Sequence, residues 1–435
     1  MNTRFLYLPA FLMLLLIACN NDDDPISAGF PAYRIQIDNK FNFLDAEIIA
    51  YLSDENGRVR AYRAVPPSDT INLDISTVES GERFDLTIVK ITNILAPGSG
   101  VVDTTILLQT YTQLPSGQKV QLTNLGELQT TDLKMQLSGV TSVDSLVVSN
   151  GLAFERPTPA NNFFLHYRII HGGKIWARML VNGGPFWKFV TFDNVSGPTL
   201  ETGVDVNILP SIFGNPTPMA FPFTTTWEYS LDGVIDSTTA SFFPLGPSLR
   251  APGSPIPVFD AVGVYEPIVN PVFDPGPKPY SGFKIKAYGI DQSPEGYSYY
   301  IDQFFSTIPS SLPTGNFNVE GTTLSDNQLV AARCIGDFDV LAISRFRFGT
   351  PGITWEAFLR PIDGQIISYR LPDVPDALGN RFPGLKNYDF GNIVRVRAEN
   401  YNHSDDYDAI IRKRLQADDP WWQMKFGYLG KEKMF

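Results

Sequence analysis

Apolar and polar residues alternate with a period of two in several short runs of this chain. Thr70-Ile71-Asn72-Leu73-Asp74-Ile75 alternates strictly, and Phe84, Leu86 and Ile88 alternate with Asp85, Thr87 and Val89. Val394, Val396 and Ala398 alternate in the same way with Arg395, Arg397 and Glu399. A two-residue period puts one face of a strand on a core and the other in water. Asn162 to Phe192 reads as a three-strand meander. Phe163–Ile170 turns at Gly172-Gly173 into Lys174–Val181, then at Asn182-Gly183-Gly184-Pro185 into Phe186–Val190. A glycine pair suits a type I′ hairpin, whose central residues both need positive φ. Helical periodicity is confined to a stretch after Ser404. There Ser404 would cap a helix, Asp405, Asp406 and Asp408 fill its first turn, and Arg412, Lys413 and Arg414 its last. Tyr407, Ile410, Ile411 and Leu415 share one face of that helix.

These patterns predict an all-β chain of tandem β-sandwich (immunoglobulin-like) domains with a short C-terminal helix. The 35 Gly, 34 Pro and 13% aromatic residues suit a strand-and-turn architecture. Ten of the prolines fall between Pro244 and Pro279, which reads as an extended connector or a long non-sheet loop. The expected divisions are 30–139, 140–245 and 281–435 as β domains, with 246–280 as the Pro-rich connector. The hairpin Ala50–Arg63, with an Asn56-Gly57 turn, has an echo in Ala357–Arg370, with Asp363-Gly364 at the turn; Ala177–Phe189 echoes it more loosely. A repeated sandwich unit and hairpins that merely look alike both fit, since the spacings are unequal.

The first thirty residues carry an address. Arg4 precedes an apolar run from Phe5 to Ala18, 14 residues, too short to span a hydrocarbon core of about 30 Å. It fits the hydrophobic region of a secretory signal over residues 1–18. The run closes in Leu16-Ile17-Ala18-Cys19, which resembles the lipobox of bacterial lipoproteins. The resemblance implies cleavage before Cys19 and lipid on its thiol, so the membrane becomes a partner through the anchor. Residues 19–29, with Asp22, Asp23 and Asp24, are too polar to bury surface and read as a disordered tether. An acidic cluster there is similar to the export signal of Bacteroidota-type surface lipoproteins. It implies an outer-membrane, lipid-anchored protein facing the cell exterior.

Composition narrows the partners. The formal net charge of −12 becomes −13 once Arg4 is removed, which gives no electrostatic reason to approach nucleic acid. With Cys19 committed to lipid, Cys334 has no intramolecular disulfide partner and reads as a buried small hydrophobe. His166, His171 and His403 stand at no metal-ligand spacing, and no G-x-S-x-G turn is present, so neither a metal nor any other cofactor is expected. Gly98-Ser99-Gly100 begins a phosphate loop, but Asp103 replaces its last glycine. Ser281-Gly282-Phe283-Lys284 matches S-x-x-K on a strand, where that motif needs a helix. Asp337 and Asp339 would share a strand face and could flank a glycosidic bond at about 5–10 Å separation. Aromatics are in excess, and Tyr297, Tyr299, Trp421 and Trp422 are the candidate binding positions.

Address and β-architecture together resemble the accessory surface lipoproteins of Bacteroidota-type nutrient-uptake systems. The resemblance implies a non-enzymatic binding or adhesion module that captures glycan or contacts an outer-membrane protein. A structural subunit of a surface or periplasmic assembly is the first alternative, and a glycan hydrolase using the carboxylate pair the second. An exposed apolar patch would favour the assembly subunit, and a cleft around Asp337 and Asp339 the hydrolase.

Overall fold

The computed structural model describes residues 33–39, 46–79, 81–95, 102–122, 129–149, 154–155, 162–169, 175–183, 187–192, 199–209, 211–217, 225–236, 241–244, 259–260, 268–274, 282–291, 296–307, 309–324, 327–362, 366–391, 393–401, 406–416 and 427–435. Within them the chain is all-β, with strands stacked in sandwich-like layers. Three short helices, Asp376–Arg381, Pro383–Lys386 and Tyr407–Leu415, accompany the strands among the described residues.

A thirteen-stranded sheet forms the frame. From one edge it runs through Ser241–Pro244, Thr225–Asp236, Gly282–Asp291 and Tyr297–Phe305 to Tyr428–Met434. It continues through Val394–Tyr401, Val340–Arg347 and Gly352–Leu359, then Val102–Leu114, Phe84–Leu95, Ala46–Ser53 and Val59–Ala64; the thirteenth strand, Phe259–Asp260, pairs off this path with Thr225–Asp236. Early and late segments are therefore ladder neighbours: Gly352–Leu359 pairs in parallel with Val102–Leu114, with Trp355 opposite Leu108. The buried Trp355 indole N–H donates to Thr110 Oγ1 at 2.9 Å.

Smaller sheets close the sandwiches. Tyr33–Asn39 lies between Asp69–Ile75 and Lys119–Leu122, and buries Ile35 and Ile37 with Leu86 and Phe358. In the strands Asp69–Ile75, Phe84–Leu95 and Val394–Tyr401, the alternating apolar sets Ile71/Leu73/Ile75, Phe84/Leu86/Ile88 and Val394/Val396/Ala398 all face a core. Phe317–Leu324, Leu329–Gly336 and Ile366–Arg370 form a second covering sheet over Ile285, Ile301, Leu341 and Val396. Cys334 is buried there, and burial pushes its thiol up to about 12. A separate core gathers Met135 and Val204 with Leu146, Val148, Ala177 and Met179.

Several pairings depart from the local reading. Asn162–Ile169 pairs with Gln129–Ser138, whereas Ile175–Val181 pairs with Val143–Ser149 and with Trp187–Phe192. The first expected hairpin is thus not made, and its Gly172-Gly173 turn lies outside the described residues. Core demand explains the choice, because Ala177 and Met179 bury against Leu146 and Val148. The second turn holds, with Asn182 at φ 55° and Gly183 at φ 60°.

Ala50–Arg63 is a true hairpin, but its echo is not. Gly352–Leu359 belongs to the large sheet, while Ile366–Arg370 pairs with Leu329–Gly336 in the covering sheet. Part of the proline-rich stretch is in sheet: Ile268–Asp274 pairs with Ser211–Thr217, placing Pro271 opposite Gly214 at an edge that tolerates a missing donor. The late helix spans Tyr407–Leu415 and buries Tyr407, Ile410, Ile411 and Leu415. Its cap is Asp406, whose carboxylate accepts from the Ala409 N–H at 2.9 Å, and not Ser404, which lies outside the described residues.

Candidate functional site

Four elements meet at an internal ionic cluster: the strands Gly352–Leu359, Val394–Tyr401 and Tyr428–Met434, and the helix Tyr407–Leu415. Because Val394, Val396 and Ala398 face the core, the strand's period turns Arg395, Arg397 and Glu399 to the opposite face. Glu399 is fully buried. Its carboxylate accepts from Arg397 Nε and from the Tyr401 hydroxyl, both at 2.7 Å, and from Arg414 of the helix. Arg397 also donates to Glu356 at 3.1 Å. Glu432 takes Arg395 at 3.3 Å and the Tyr300 hydroxyl at 3.2 Å. Burial alone would raise the Glu399 carboxyl, but Arg414 and Arg397 override it and hold the group below the ordinary carboxylate range. At Glu432 burial wins over Arg395 and Arg397, and that carboxyl is raised.

The cluster binds elements to one another. Three guanidinium groups (Arg395, Arg397, Arg414) face three carboxylates (Glu356, Glu399, Glu432), so its charge is balanced internally. Asp85 plays a similar part between segments: it accepts from the Gln113 N–H at 2.9 Å and the Tyr369 hydroxyl at 3.0 Å. Burial pushes its carboxyl up to about 6 against those two hydrogen bonds, with Asp54 adding to the rise.

The described residues picked out by sequence fall outside this cluster. Tyr297 and Tyr299 are 4% and 9% exposed and pack in the core, corrected from binding platforms to packing residues by a strand whose odd positions all turn inward. The Tyr297 hydroxyl donates to Val319 O at 2.8 Å, and Lys431 Nζ stands 4.2 Å from its ring centroid. A shallow crevice beside Tyr299, Pro313 and Phe317 has room for about one water molecule and is no ligand pocket.

Asp337 and Asp339 do not share a strand face. They sit in the turn after Leu329–Gly336, where Gly336 takes φ 97° and a Cβ would lie 2.1 Å from Asn316 O. Asp339 accepts from the Tyr401 N–H at 2.6 Å, which ties the turn to the neighbouring strand. Lys284 of the S-x-x-K match is on a strand and pairs with Asp302 at 2.9 Å. Cys19, Asp22, Asp23, Asp24, Trp421 and Trp422 lie outside the described residues, as do His171 and His403. Among the described residues no group of three or more His, Cys, Asp or Glu side chains is placed to hold a metal. No described helix is long and apolar enough to cross a membrane.

One surface feature is not legible in the sequence pattern. Phe348 is 81% exposed and Met434 55%, with Ile393 and Phe435 also exposed. Phe435 and Val394 exchange backbone hydrogen bonds at 2.9 and 3.2 Å, and Val394 pairs with Arg345. The four apolar residues therefore stand at the same end of three adjacent strands. Their signal was weak, since single apolar residues at strand ends are common.

No protein-family model matches this chain, and no curated protein matches it. Weakly similar solved structures include two fimbrial proteins. The tip fimbrial protein Mfa3 from Porphyromonas gingivalis, C-terminally truncated, is 9% identical, with 37% of this chain and 81% of that chain covered at a TM-score of 0.17. A fimbrial assembly protein from Parabacteroides distasonis is also 9% identical, with 42% of this chain and 95% of that chain covered at a TM-score of 0.13. Overlaps this poor are no evidence of a common fold or role.

Proposed function

We propose that this chain is a lipid-anchored, non-enzymatic structural subunit of a cell-surface assembly. The observation that carries the reading is the apolar group Phe348, Ile393, Met434 and Phe435 at one end of the central sheet. Exposed apolar groups of this kind mark contact surfaces between proteins. Two further features agree with it. The ionic cluster spends its charges on joining strands and helix, and the candidate catalytic and aromatic positions that are described serve packing and turns. The address comes from the lipobox-like Leu16–Cys19 and the acidic Asp22–Asp24.

The test is a membrane-impermeant cross-linker applied to intact cells that make the protein, followed by protease shaving of the same cells. Wild type is expected in cross-linked species above its own mass and is digested from outside. Phe348→Asp loses the cross-linked species yet is still digested, and the triple change Asp22→Ala, Asp23→Ala, Asp24→Ala protects the chain from protease. A chain that cross-links only to lipid-anchored monomer mass, with or without Phe348, sinks the assembly role. Protection of wild type, with digestion in broken cells, sinks the outward address.

A further inference from the structure

The thirteen-stranded sheet is two half-sheets joined through one strand. On one side lie Thr225–Asp236, Gly282–Asp291 and Tyr297–Phe305, and on the other Val394–Tyr401, Val340–Arg347 and the strands beyond them. Among the described residues, Tyr428–Met434 is the ladder link between them, antiparallel to both neighbours. Lys431 faces Tyr299 on one side and Ala398 on the other.

A strand at the middle of a large sheet is ordinarily its best-anchored part. Val340–Arg347, two places away, buries Val340, Leu341, Ala342 and Ile343. Tyr428–Met434 has one buried apolar side chain, Leu429. Gly430 has none to bury, Lys431 and Lys433 lie over the Tyr297 ring at 4.2 and 4.9 Å, and Met434 is exposed. Its other buried side chain is Glu432, one of whose carboxylate oxygens has no hydrogen bond. Tyr428, at the strand's start, is half-buried with its ring centroid 5.6 Å from that of Tyr401; from Gly430 onward, backbone hydrogen bonds and ion pairs hold the strand with little apolar burial behind them. Local stability follows buried apolar contact, so such an element opens below the free energy of global unfolding.

We infer that Tyr428–Met434 is a clasp: it leaves the sheet as a unit and uncouples the half-sheet containing Tyr297–Phe305 from the half-sheet containing Val394–Tyr401, while both halves stay folded. Opening exposes the edge of each half and removes Glu432 from Arg395, Arg397 and Tyr300. The covering sheet of Phe317–Leu324 and Leu329–Gly336 keeps the halves close, because it packs on residues of both.

Native-state hydrogen exchange on the intact chain in low denaturant tests this. Amides of 428–434 and those of 297–305 that face them are expected to exchange together in one sub-global opening, before those of 84–95 and 340–347. Lys431→Pro removes a ladder donor and is expected to speed exchange at 297–305 by about tenfold while leaving 84–114 at its wild-type rate. Exchange of 428–434 only with global unfolding overturns the clasp. So does a Lys431→Pro chain in which 84–114 accelerates as much as 297–305, or one that unfolds throughout.

Discussion

The hydroxyl of Tyr369 donates to the carboxylate of Asp85 across 3.0 Å, joining residues 284 positions apart in the chain. Tyr369 belongs to the covering sheet and Asp85 to the frame, where Asp85 sits at the register shift between Phe84 and Leu86. The contact is a seam between layers, and it carries a titratable group held away from its ordinary range.

Asp85 should make the seam pH-dependent. Burial raises its folded pKa to about 6, above the unfolded value, so the stability it contributes is complete at low pH and is lost as pH rises through about 6. The loss is on the order of 3 kcal/mol. Asp85→Asn mimics the protonated acid, so the variant should match wild type near pH 4 and exceed it at pH 7.5 in urea unfolding. A difference between the two that does not change with pH refutes the assignment.

Glu399 has the opposite sign. Its folded pKa is lowered, so its contribution is present at neutral pH and is lost as pH falls through the carboxylate range. Glu399→Leu strands Arg397 and Arg414 in a buried site and should cost about 3–5 kcal/mol at pH 7. Arg34→Ala, which breaks an exposed, solvent-screened pair with Asp74 at 2.7 Å, should have far the smaller effect. Equal losses in the two variants would contradict the structural role of the cluster.

Trp355 ties the early and late segments together. Trp355→Ala empties a fully buried site and should cost about 3–5 kcal/mol in denaturant unfolding. Thr110→Val keeps the volume but takes away the indole's acceptor, and should cost about 1–3 kcal/mol. If Thr110→Val is neutral, the indole N–H has another partner.

The Asp406 cap is separable from the packing of its helix. Asp406→Ala should lower stability by about 1 kcal/mol, and Asp406→Ser should restore most of it. Indifference to both changes would mean that the helix is held by Tyr407, Ile410 and Ile411 alone.

The strand-rich class, the inward faces of Asp69–Ile75, Phe84–Leu95 and Val394–Tyr401, the Asn182-Gly183 turn and the buried face of the late helix are legible in the chain's local pattern. These rest on periodicity and on φ preference, which act between residues a few positions apart. Tertiary structure alone decided which strands pair. Asn162–Ile169 passed over its neighbour for Gln129–Ser138, and Gly352–Leu359 joined Val102–Leu114 across some 250 positions. Alternation says that a strand has an inner face but not what covers it, so Tyr297 and Tyr299 read as available when they are core. The same holds for charge: Arg397 and Glu399 read as the wet face of a strand until Arg414 and Glu432 arrive from distant positions to enclose them. Burial and pairing are properties of contact between segments remote in sequence, and a period of two carries no information about the partner.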